Sequence, residues 1–227
     1  MARKAPRRTA ERILEAALDL FNRLGEPNVS TTAIAAQLGI SPGNLYYHYP
    51  AKEAIVNALS QRHTEDLHEV LQAGGAVRDM AAAWVFVHAL LERLWAYRFL
   101  YRDINDLVSR NRDLETLMPQ VLAQQAQALR QMLQALRAAG ALEVDAHALE
   151  PTANAMLLVL AYWPSFEFVR APRRPHQPAQ VQDTLHRGTS QVLHLLAPYL
   201  APRQRRQLAD LMQSQSAAPG MDGQIQD

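Results

Sequence analysis

Residues 30–52, STTAIAAQLGISPGNLYYHYPAK, hold two short segments of helical apolar spacing with only Gly39-Ile40-Ser41 between them. No other feature of the chain restricts the fold as sharply. Ser30 or Thr31 is placed to cap the first segment, whose Ile34, Ala35 and Leu38 share one face. Gly39 ends it at a position suited to positive φ. Ser41 then caps the second segment, with Pro42 at the favoured first helical position. Ala35, Leu38, Ile40 and Leu45 point inward and set the angle between the two helices. Ala35 is small where the backbones must approach. This is the pattern of a helix-turn-helix.

Helical spacing continues on both sides. Ile13, Ala17, Leu20, Phe21 and Leu24 mark a first helix, with Thr9 as N-cap and Gly25 as stop. After Tyr49-Pro50 a fourth helix carries Ile55, Leu59, Leu67 and Leu71. Gly74-Gly75 is the clearest internal boundary. Met80, Trp84, Val87, Leu91 and Trp95 then define a long helix, and a short one covers 103–109. Val121, Leu129, Met132 and Leu136 define another that ends at Gly140, with Pro119 at its start or as a kink. Residues 146–169 are apolar nearly all round, which requires burial on two faces. After the proline-rich 171–178, one helix spans 181–200 and a last one 202–212. No alternating strand pattern or internal repeat is present. The expected fold is all-α, with about nine to ten helices. The expected division is a basic arm at 1–8, a three-helix DNA-binding domain at 9–58, a larger ligand-binding and dimerisation domain at 59–213, and a disordered tail at 214–227.

Composition excludes several classes. The 227 residues include no cysteine, which removes disulfides, thiolate nucleophiles and cysteine-bound metals. No apolar run approaches the ~20 residues of a membrane span, and the basic N-terminus leads into an amphipathic helix instead of a signal sequence. A cytoplasmic protein without a membrane partner is expected. The formal net charge is only +1, yet Arg3, Lys4, Arg7 and Arg8 are concentrated in the first ten residues with no acid among them. Glu65-x-x-His68 has the spacing of a di-iron ligand pair, but such sites need two of these motifs and two further glutamates. A solvated helix face is the plainer reading. No HExxH, phosphate loop or local nucleophile motif occurs, so no enzyme, metal site or cofactor is expected. A helical-bundle oxidoreductase stands only as a contrasting class, tested by iron content.

The second helix of the motif offers Gly43, Asn44, Tyr46, Tyr47 and His48 within six residues. Neutral donors, aromatic rings and a glycine-opened backbone suit close entry into a major groove. Tyr47 and Tyr49 also suit packing against the first and fourth helices. The stretch from Ile13 to about Leu59 resembles the TetR family of bacterial transcription regulators. It shares Thr-x-Ile-Ala at 32–35, Gly-Ile-Ser at 39–41, Leu-Tyr-x-His-Tyr at 45–49 and Lys52-Glu53-Ala54. The resemblance implies that Thr31 and Thr32 meet phosphate, and that Gly43, Asn44 and Tyr46 face the groove. It also implies that Tyr46, His48 and Lys52 grip phosphates. Thr32 and Gly43 stand where many members carry longer side chains, so the basic arm is expected to add contacts in the flanking minor groove.

The family arrangement further implies a homodimer through 146–169 and 181–200 on a palindromic double-stranded operator. Release by a small apolar or amphipathic ligand is implied as well. Residues placed to line a pocket are Trp84, His88, Leu91, Trp95, Phe99, Tyr101, Ile104, Met118, Leu122 and Gln125, with plain core packing as the alternative. Arg98, Arg102, Asp103 and Asp106 form a charged cluster at the end of the fifth helix. The competing class is a carrier of lipid or metabolite with the same fold that does not bind DNA. Deleting residues 1–8 is expected to weaken operator binding and flatten its dependence on salt. A titration series from low to moderate salt checks this, and an unchanged slope removes the arm from the interface.

Overall fold

The computed structural model describes residues 6–172 and 178–214. Among them are eleven α-helices and no strand. The helices are α1 (Pro6–Leu24), α2 (Thr31–Leu38), α3 (Pro42–His48), α4 (Lys52–Gln72), α5 (Met80–Ala96), α6 (Arg98–Arg102), α7 (Ile104–Arg110), α8 (Arg112–Ala138), α9 (Ala146–Arg170), α10 (Pro178–His194) and α11 (Pro202–Ser214). The expected all-α architecture is present. The count exceeds expectation because Asp103 breaks residues 98–110 into two short helices. The outer half of the expected basic arm, the centre of the proline-rich connector and nearly all of the expected tail lie outside the described residues.

Local chemistry explains most boundaries. Ser30, not Thr31, caps α2, accepting the Ala33 N–H, and Gly39 closes the helix at φ 64°. Ser41 caps α3 by accepting the Asn44 N–H, with Pro42 in the first turn. Thr9 lies inside α1, which begins at Pro6. Proline's fixed φ suits a helix start and its missing N–H costs nothing there. Asn111 caps α8, so of the two places expected for Pro119 it takes the one inside the helix, not the start. Both Pro119 and Glu115 are exposed, so the carbonyl freed by the proline lies on a wet face.

α1, α2 and α3 pack as a small unit through Ile13, Phe21, Ile34, Ala35 and Leu45, all buried. α4 leaves that unit and packs on α5 and α8. α10 lies on α5, and α8 on α9. The turn at Gly74 presses so closely on α8 that a Cβ there would sit 2.6 Å from the Ala128 carbonyl oxygen. α9 buries Ala153, Met156, Leu160 and Trp163, while Leu158, Tyr162, Phe166 and Val169 on its other face are exposed. No helix among the described residues is long and apolar enough to cross a membrane.

His63 sits in the apolar stripe of α4, fully buried. Its Nε2 lies 2.7 Å from the Tyr101 hydroxyl, which also accepts the Gln125 amide N–H at 2.9 Å. The tyrosine proton is thereby directed to Nε2, and the His63 ring stays neutral. Burial pulls its pKa down to about 4, opposed in part by Asp66. The unfolded chain therefore takes up the proton first on acidification. The contribution of His63 to stability is complete above pH 6.5 and is lost as pH falls toward 4. The loss is expected to be about 3 kcal/mol. Urea denaturation at several pH values, compared with His63→Gln, isolates it: the variant's curve should be flatter across that window.

Candidate functional site

The outward surface of α2 and α3 is built from the caps outward. Ser30 Oγ meets Thr32 Oγ1 at 2.8 Å, and Thr31 Oγ1 meets the Tyr46 hydroxyl at 3.0 Å, tying the start of α2 to α3. Leu45 is fully buried and anchors α3, so Gly43, Asn44 and Tyr46 are left exposed. A Cβ at Gly43 would meet nothing within 4 Å. Packing therefore does not require glycine there, and its effect is to lower the outer face of the helix. His48 is half-buried, its ring edge-on to Tyr47 at 5.2 Å. Tyr49 packs inward, its pKa raised by burial and by Glu11 of α1. Tyr47 departs from the packing expected of it: it is 80% exposed, because only Leu45 and Tyr49 fall on the inner side of this short segment.

Beside α3 runs an open cleft of about 530 Å³, walled by Pro27, Ser30, Thr31, Tyr46, Pro50 and Lys52. Its hydroxyl groups and backbone edges are of the kind that hold a phosphate strand. Lys52, expected to grip phosphate, has partners within the protein. Its Nζ is 3.0 Å from Glu26 Oε1 and 3.0 Å from the Glu26 carbonyl oxygen. The ammonium is spent on a carboxylate that is only 2% exposed, since a buried charge must be paired. Arg8 is exposed on the first turns of α1. Arg3, Lys4 and the Arg7 side chain lie outside the described residues.

The ten residues placed around an effector pocket do not share one cavity. Leu91, Phe99 and Met118 are core residues, and Ile104 and Leu122 are half-buried. Trp84 and His88 face His186 of α10, with ring centroids 4.8 and 6.2 Å apart, and His88 Nδ1 is 3.2 Å from Thr189 Oγ1. Trp95 faces a cleft bounded by α6, α9 and α10. Tyr101 and Gln125 join His63, a residue not anticipated although its place between Leu59 and Leu67 was visible. The His63 Nδ1 and Gln125 Oε1 atoms are buried without hydrogen-bond partners. Glu65 and His68 are exposed on α4.

A second contact between the two halves of the molecule was not anticipated. Asn22, near the end of α1, donates to the Ala96 carbonyl oxygen at 2.8 Å and accepts the Phe99 N–H at 3.1 Å. Arg102 donates to the Phe21 carbonyl oxygen at 3.1 Å and to that of Asn22 at 3.4 Å. Glu26 pairs with Lys52 and Arg110, and its N–H reaches Asp103 Oδ2 at 3.4 Å.

Fold and surface together define a helix-turn-helix DNA-binding protein with a helical second half. The chain belongs to the TetR family. Residues 13–59 match the bacterial regulatory proteins of the tetR family, and residues 62–208 match its bacterial transcriptional repressor domain. The HTH-type transcriptional regulator UidR of Escherichia coli K12 is 44% identical over 51 residues, 22% of this chain and 26% of that one. The class A tetracycline repressor protein from transposon 1721 of Escherichia coli is 34% identical over 56 residues, 25% of this chain and 26% of that one. The chain thus matches about a quarter of the length of these relatives. A TetR-family transcriptional regulator from Marinobacter aquaeolei VT8 superposes with a TM-score of 0.79 at 26% identity, covering 91% of this chain and 98% of that one.

Tyr46→Phe is expected to weaken binding to the duplex upstream of the protein's own coding region by about 1 kcal/mol, roughly fivefold. The loss should be equal across sequence variants, as for a phosphate contact, with the thermal midpoint unchanged. Fluorescence anisotropy measures it. A loss confined to one base-pair position would assign Tyr46 to base reading instead.

Proposed function

We propose that the protein is a homodimeric repressor acting in the cytoplasm. It holds a two-fold-symmetric operator through Thr31, Thr32, Gly43, Asn44, Tyr46 and His48, with the arm residues Arg3, Lys4, Arg7 and Arg8 alongside. A small apolar or amphipathic ligand releases it. The observation that carries this reading is the outer face of α3, exposed, low and uncharged above a fully buried Leu45. Domain limits near residues 8, 58 and 213 follow from the same reading, with α4 continuous across the middle one.

Dimerisation rests on α9 and α10. Leu158, Tyr162, Phe166 and Val169 form one exposed apolar stripe, and a groove of about 660 Å³ runs between it and Arg187 and Gln191 of α10. An apolar side chain of this size gains about 1.5–3 kcal/mol on full burial, so four of them on each of two symmetric faces favour association strongly. Response to a ligand is supported by the name of a relative. One relative is named a tetracycline repressor. A lipid or metabolite carrier of the same fold has no need of the face on α3, and lack of any binding to upstream DNA would favour it.

Sedimentation velocity with a gel-shift titration tests the dimer. The unmodified chain should sediment as a dimer at micromolar concentration. Tyr162→Glu, at an exposed position, should raise the dimer dissociation constant at least tenfold and lower operator affinity with it. A monomer that binds the operator tightly would overturn the reading.

A further inference from the structure

On the side of α6 away from His63 lies a cavity of about 40 Å³, enclosed by the end of α5, α6, the C-terminal half of α9 and the start of α10. Trp95, Phe168 and Val181 supply apolar wall, and Arg98, Arg102 and Glu167 supply charge. The volume admits a group the size of a carboxylate, a water needing about 10–15 Å³ on this measure.

The charges are not balanced. The charge of Glu167 is paired from outside the cavity: Oε2 is 2.6 Å from Arg187 Nη2, and Oε1, buried without a hydrogen-bond partner, is 3.6 Å from Arg170 Nε. Arg102 has Asp103 at 3.6 Å and the α1 carbonyls. Arg98 has no carboxylate within ion-pair distance among the described residues. Its Nη1 donates to the Trp95 carbonyl oxygen at 3.1 Å, its guanidinium lies 5.3 Å from the Trp95 ring, and its Nε is buried without a partner. Asp19, which attracts it from a distance, is engaged by Arg23 at 3.0 Å. Burial and the neighbouring Arg102 pull the Arg98 pKa down to about 10, so the side chain is still a cation at neutral pH. The site thus presents one uncompensated, partly desolvated guanidinium with a free donor, beside a second guanidinium one helical turn on. Planar forks of this kind match carboxylates.

We infer that this cavity receives the head group of a monoanionic organic carboxylate at Arg98 and Arg102, the apolar body lying outside it at the open side of the cleft, against Trp95, Phe168 and Val181. The inference rests on the regulator reading and names a ligand class for it. It also supplies a route of response. The Arg102 side chain is 9% exposed, and the same guanidinium that lines the cavity holds the Phe21 and Asn22 carbonyl oxygens at the end of α1. A carboxylate competes with those carbonyls for its N–H groups. Binding therefore loosens the DNA-binding unit from α6, and by linkage operator binding opposes the ligand by the same factor.

The test is isothermal titration of the full-length dimer with phenylacetate, octanoate and naphthalene-1-acetate, each beside its primary amide, and with phenyl phosphate and choline. At least one acid should bind saturably, its amide at least tenfold more weakly. Arg98→Gln should weaken the acid at least tenfold, and saturating acid should lower operator affinity about five- to tenfold. Overturning results are no binding by any acid, equal binding of acid and amide, or binding of choline or phenyl phosphate in place of the acids. Binding of acid without any change in operator affinity would also overturn it. The acid–amide comparison uses the unmodified chain, so it stands even if the variant fails to fold. Operator binding and dimerisation without ligand are measured in the same preparations; if they hold while the acids fail, the regulator reading survives and this one does not.

Discussion

The buried carboxylate of Glu26 is the point at which the two halves of the molecule are fixed to each other. It is 2% exposed and lies in the turn that follows α1. Left alone, such a charge would cost several kcal/mol. It is matched by Lys52 from the first turn of α4 and by Arg110 at the end of α7. Three elements distant in sequence must meet for this charge to be tolerated, so their relative placement is set by electrostatics as much as by apolar contact. Asn22 and Arg102 extend the same joint toward α6. The consequence for the surface is direct: Lys52, which a reading of the sequence assigns to phosphate, is held in the joint. Under the proposed function, grip on DNA would then fall more heavily on hydroxyl groups and on the arm.

Much of the fold was legible because its determinants are local. Ser30, Gly39, Ser41 and Pro42 each act within a turn of their own position, and the inward set Ala35, Leu45, Ile55 and Leu59 follows from helical period alone. The two-sided apolarity of 146–169 was legible for the same reason. What was not legible depends on distant partners. Nothing near Glu26 in the sequence announces that it is buried, because its partners lie 26 and 84 residues away. Pro119 was left open between a helix start and a position within the helix, since a proline inside a helix costs less when the orphaned carbonyl faces water, and exposure is a tertiary property. The effector candidates on α5 shared a face correctly, but α5, α6 and α8 turn their faces to different neighbours, so one stripe became three separate environments.

The reading face itself divides affinity from specificity. Gly43 and Asn44 place little side chain on the outer face of α3, and Thr32 is already engaged with Ser30. Hydroxyl and backbone contacts to phosphate position a protein without reading sequence. Under the proposed function, discrimination among sites would depend on the few base contacts open to Asn44 and Tyr46, on duplex shape, and on the separation of two such faces in a dimer. The separation is the term that a change within one subunit alters most easily.

Two mechanical links lead from the helical bundle to that separation. α4 is continuous from Lys52 to Gln72 and carries His63, fully buried, so under the proposed function a shift there would be passed to the DNA-binding unit through an unbroken helix. The joint at Asn22, Glu26 and Arg102 opposes such a rotation from the other side, through the end of α1. A ligand acting on α4 alone would have to strain this joint, at a cost set by a buried ion pair and several hydrogen bonds. One acting through α6 releases it first. Coupling of 1–3 kcal/mol is typical between distinct sites, comparable to the worth of one or two charged hydrogen bonds. Loss of the Arg102 contacts to α1 is therefore sufficient in magnitude, without unfolding any element, to shift the population away from the DNA-binding form.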